Sequence, residues 1–102
     1  MAEDPKIYSL NFQASSNTHY KIVENWLYID VRILDYYSPI PLVYFIKTNL
    51  TARQLAEATS FMFPDVGAIF ARINTQDLDG VLGPGAWEWF YKDTSKMAPL
   101  NR

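Results

Sequence analysis

Cysteine is absent from the 102-residue chain, which excludes disulfides, Cys-ligated zinc, iron–sulfur clusters and a thiol nucleophile. Histidine occurs once, so a single chain cannot build a multi-histidine metal site. Charge of one sign is also missing. Nine Lys and Arg stand against eleven Asp and Glu, a net −2. That is neither the basic surplus of a general nucleic-acid binder nor the acidity of a DNA mimic. Long apolar runs are lacking too. The longest, IPLVYFI, falls far short of the roughly 20 residues that cross a bilayer, so no membrane partner is expected. The first residues, MAEDPK, show no basic segment followed by an apolar run, and the cytoplasm is the expected compartment.

What is present suits one packed core. Hydrophobic residues make up 49% and charged residues 20%, a balance unlike that of disordered chains, and the length leaves no room for two cores. One domain is expected over residues 1–92. Residues 93–102 are polar, contain Pro99 and read as a flexible tail. Aromatic residues reach 16%, which points to core, interface or stacking surface.

Lys6 to Phe12 alternates, with Tyr8, Leu10 and Phe12 on one side and Ser9 and Asn11 on the other, and predicts a strand. Gln13 to Asn17 is a polar loop in which Asn17 or Thr18 can cap a following helix. Thr18 to Asp35 carries the β-branched residues of a strand, yet its polar positions fall at three- and four-residue spacing and predict a helix. Asp30 is the misfit on the apolar side of that helix, and a strand beginning near Val31 is the second reading. Ser38 to Pro41 breaks a helix. Leu42 to Thr48 suits a central strand. Thr51 and Gln54 form a T-x-x-Q capping box, opening a helix to about Phe63 whose inner face is Leu55, Ala58, Thr59 and Met62; Pro64 ends it. Val66 to Asn74 reads as a strand. Asp79-Gly80 is a turn signal, and Trp87 to Lys92 is a short helix or an edge strand.

With one short strand added around Tyr36 or at the C-terminus, this order predicts an α+β sandwich of the ferredoxin-like type: an antiparallel sheet, two helices on one face, and a short C-terminal element. Four segments then resemble a known group. They are KIYSLNF with its polar loop and Tyr20, VYFIKTNLTARQL, AIFARI, and the closing run from Gly80 to Trp89. In this order they are similar to the ferredoxin-like CRISPR-associated endonuclease and VapD-type ribonuclease superfamily, above all its bacterial SinR-like members. The resemblance implies a homodimer of bacterial or mobile-element origin. It also implies a site where two Asp residues, one from each first strand, hold a divalent metal such as Mg or Mn for phosphodiester hydrolysis. The matching position here is Asn11, a neutral amide and a weaker ligand for a hard cation. The expectation is therefore a non-catalytic interaction protein with no metal and no cofactor. The alternative is a small nuclease that cuts RNA or DNA at the dimer seam with Asn11, Ser9 and His19.

Other side chains invite chemistry and have plainer readings. His19 in a first helical turn could move a proton or touch a phosphate; a solvent-facing residue explains it as well. Gln13, Ser15, Ser16 and Asn17 could bind an anion, but capping accounts for them. Asp30 could be a carboxylate with a raised pKa, or a residue at a misplaced boundary. Trp87, Trp89, Phe90 and Tyr91 could stack on bases; with few cations between them, they are better candidates for a dimer interface. Asp77 and Asp79 read as a solvated turn rather than a metal loop. Gly83-Pro84-Gly85 lacks the frame of a phosphate loop.

Overall fold

The alternating Lys6–Phe12 segment forms β1, and the elements follow in the order α1 (Asn17–Ile29), β2 (Ile33–Tyr37), β3 (Tyr44–Thr48), α2 (Ala52–Met62), β4 (Ala68–Arg72) and α3 (Pro84–Tyr91), with a 3₁₀ turn at Thr75–Asp77. The structure is a computed structural model that describes residues 5–13, 17–39 and 43–92. The expected tail from Asp93, the loop at Ser15 and Ser16, and the strand start at Leu42 lie outside the described residues. The four strands lie in the order β2-β3-β1-β4, every neighbour antiparallel. Two interleaved β–α–β units in that order make the ferredoxin-like sandwich.

One face of the sheet meets α1 and α2. Tyr8, Leu10, Ile33, Tyr44 and Ile46 from the strands pack with Val23, Trp26 and Leu27 of α1 and Leu55 of α2. Val23, Trp26 and Leu27 follow helical spacing, which is why that stripe is the buried one. Trp26 sets its edge against Phe63 and Phe70, with centroids 5.9 and 6.3 Å apart. The capping box is complete: Gln54 N–H donates to Thr51 Oγ1 and Thr51 N–H donates to Gln54 Oε1. Met62 departs from its expected inward position and is 49% exposed. Phe63 and Val66, just beyond the helix, fill that end of the core instead.

The first helix stops at Ile29 instead of Asp35, and the second reading of this segment is the correct one. Asp30 explains the stop. Its carboxylate accepts from Trp26 Nε1 at 3.0 Å, from the Arg32 backbone N–H at 3.0 Å, and from the Arg32 guanidinium at 3.0 and 2.8 Å. These bonds close a turn through Val31 and Arg32, and Ile33, a β-branched residue, opens a strand beside β3. Asp30 thus sits between helix and strand, not on an apolar helix face. Its pKa moves opposite to the expectation of a raised value: Arg32 holds the carboxyl below its ordinary 3.8, against the opposing effect of burial.

Asp30→Asn is expected to destabilise the protein by about 1 kcal/mol at neutral pH, a figure kept small because the Arg32 side chain is 51% exposed. A carboxyl held low in the folded chain contributes stability above its unfolded pKa and loses it as pH falls through the folded value. Urea denaturation of both proteins should therefore show the difference at pH 7 and its disappearance in strong acid.

Candidate functional site

The second face of the sheet carries the residues left over from the core. In β2 a register shift between Ile33 and Asp35 sets Asp35 opposite Lys47 and Tyr37 opposite Phe45. Tyr36 and Ile46 pair on the core side, so Asp35, Tyr37, Phe45 and Lys47 project away from α1 and α2. Helix α3 lies over them. Pro84 occupies its first turn after Gly83, the place where a missing N–H does no harm, so Gly83-Pro84-Gly85 starts a helix.

Three polar contacts tie α3 down. Lys47 is 1% exposed, donates from Nζ to the Trp89 carbonyl, and stands 4.2 Å from the centroid of the Trp89 ring. That carbonyl belongs to the last turn of α3, where backbone acceptors lack a helical donor and a cation suits the dipole. Trp89 Nε1 donates to Asp35 Oδ2 at 2.8 Å. Tyr91 Oη donates to the Thr75 carbonyl at 3.0 Å. Aromatic contacts add to these: Trp89 lies 5.4 Å from Tyr37, and Phe90 meets Phe45 edge-on at 4.9 Å. Burial pulls the Lys47 ammonium below its ordinary 10.5, while Asp35 opposes the shift.

The four aromatic residues proposed for a dimer interface are therefore placed mainly within the chain. Phe90 is buried, Trp89 is held by Asp35 and Lys47, and Trp87 lines an apolar cavity of about 250 Å³ with Val43, Phe45, Leu78 and Leu82. Tyr91 alone among them is exposed.

Helix α3 covers the β2–β3 side; on the β1–β4 side Ile7 is buried, while the end of the strip at Asn11, Ile69 and Ala71 is exposed. Ser9 and Asn11 of β1 stand beside Ala71 and Ile69 of β4 there, and Ile69 is 66% exposed. Asn11 is exposed and borders a shallow groove with Gln13, Gly67 and Ile69. Ser9 Oγ reaches the Ala71 carbonyl at 3.5 Å. His19 belongs to α1, on the opposite side of the sheet, and is half-buried. The structure thus brings Ser9 and Asn11 together on one strip and places His19 in the helix layer. The Asp79 carboxylate accepts from Gly80 N–H at 2.8 Å, as a turn residue does.

Sequence reading passed over Asp35 and Lys47. Their signal was one charge inside each of two apolar strands; only the register brings those charges together. Among the described residues, no group of three or more His, Cys, Asp or Glu is placed to hold a metal. Among them, too, no helix is long and apolar enough to cross a membrane. The chain matches no family model, no curated protein and no solved structure.

Trp89→Phe keeps a ring over Lys47 and removes the N–H that Asp35 accepts. It is expected to lower stability by about 1–2 kcal/mol in urea denaturation, since a partly buried carboxylate loses its donor.

Proposed function

We propose that the protein is a homodimeric interaction protein without catalysis of its own. It fits the bacterial or mobile-element SinR-like members of the superfamily that its segments resemble, and it works in the cytoplasm without a cofactor. The observation that carries the reading is the neutrality of the open strip around Asn11. Hydrolysis at Mg²⁺ or Mn²⁺ calls for carboxylate oxygens that neutralise a hard cation. The strip offers an amide, a hydroxyl and two aliphatic side chains.

The carboxylates turned toward the sheet and the α1 end already serve the fold. Asp35 accepts from Trp89, Asp30 from Arg32 and Trp26, and Glu24 from the Tyr44 hydroxyl. Burial and the Glu24 contact push the Tyr44 phenol above its ordinary pKa, so it remains a donor at neutral pH. Exposed apolar residues favour an interaction role: Phe61 is 85% and Ile69 66% exposed.

Incubation with single- and double-stranded RNA and DNA, with Mg²⁺ or Mn²⁺ and with chelator, tests the reading. The expected result is no cleavage above a buffer control. Chelator-sensitive cleavage by the purified protein would replace it with the nuclease alternative.

A further inference from the structure

The two edges of the sheet are built differently. At the β2 edge, a register shift bends the strand, Asp35 interrupts the apolar run, and Pro39 follows two residues after the strand ends. Bulges, inward charges and prolines are the devices that keep an edge from pairing with another chain. At the β4 edge there is no bulge and no proline between Ala68 and Arg72, and the one charge, Arg72, stands at the last position of the strand.

The ladder identifies which β4 groups face outward. Gln13 N–H donates to the Gly67 carbonyl at 2.7 Å, and Ile73 N–H donates to the Ile7 carbonyl at 2.8 Å. Bonding in an antiparallel pair alternates, so Gly67, Ile69, Ala71 and Ile73 bond inward to β1. Ala68, Phe70 and Arg72 then turn their N–H and C=O groups outward. Among the described residues, these outward groups have no backbone partner.

Resting on the homodimer reading above, we infer that the partner at this edge is a second copy of the chain, joined β4 to β4 in antiparallel register about Phe70. In that register Phe70 faces the partner's Phe70, and Ala68 faces the partner's Arg72. Each of the three facing pairs exchanges both hydrogen bonds, so every outward group is satisfied. The charge pattern permits it: Arg72 is the one ionisable residue of β4, and antiparallel pairing sets it against alanine rather than against itself. On the open face Ile69 lies across from the partner's Ala71, which covers an exposed side chain with a small one. The two Asn11 residues end up three strand spacings apart and staggered by two residues, at least about 14 Å, too far to share one cation. This arrangement is therefore a seam without a metal site.

Light scattering of the whole chain and three variants tests the inference. The unmodified protein should show the mass of two chains at tens of micromolar. Ala68→Pro removes an outward N–H at the first residue of an edge strand, where proline is tolerated. Ile69→Lys places a charge on the exposed side chain. Each should raise the dimer dissociation constant at least about tenfold, because two-fold symmetry counts every change twice. Asn11→Asp should leave the dimer unchanged. Amide exchange of the unmodified protein gives a readout independent of any variant: the Phe70 and Arg72 amides should be protected in concentrated solution and lose protection on dilution. A monomer at all concentrations would overturn both this inference and the homodimer reading. A dimer that survives both edge substitutions, or whose Phe70 amide exchanges freely, would overturn the β4 seam alone.

Discussion

A four-stranded sheet has two faces, and the two crossover helices of this fold cover one of them. The burial of Lys47 under α3 is the interaction that settles the other. A lysine in the middle of a central strand can be enclosed only when its ammonium finds an acceptor. The Trp89 carbonyl supplies one, the Trp89 ring lies over the charge, and Asp35 on the neighbouring strand offers the opposite sign. Because Asp35 also receives the indole N–H, one tryptophan joins two strands to one helix. The position of α3, the enclosure of Phe45 and Phe90, and the cavity beside Trp87 all follow from that attachment.

The attachment also divides the molecule. On the β2–β3 side the polar groups are matched within the chain and the edge carries a bulge, a charge and a following proline. On the β1–β4 side the strip around Asn11 is small, neutral and exposed, and the edge has neither bulge nor proline, with its one charge at the strand end. The proposed association role rests on this division. Asp30, Asp35, Glu24 and Lys47 are engaged in contacts within the fold, and the side chains beside Asn11 on the strip are neutral.

Local patterns made much of this fold legible. The alternation of Lys6 to Phe12 marks β1, and Thr51 with Gln54 marks the start of α2 within one residue. The end of α1 was harder to place, because three-residue spacing of polar side chains continues past Ile29. The stop comes from the Asp30 side chain and from pairing with β3, neither of which is periodic. The closing aromatic run was legible as apolar surface, but its destination was not. Whether Trp89 meets another chain or its own sheet depends on Asp35 and Lys47, which are brought together only when β2 and β3 pair. Asn11 could be placed on the side of β1 opposite Leu10 from alternation alone. That its surroundings are Ile69 and Ala71 required β4 to be added at the edge.

The most direct test of an association function through β4 is an NMR experiment on an equimolar mixture of isotope-labelled and unlabelled protein, recorded so that only contacts between different chains appear. The account predicts inter-chain contacts between Ile69 and Ala71 and between the two Phe70 rings. Inter-chain contacts confined to α3 or the α1–α2 layer, or none in a sample concentrated enough to associate, would contradict it.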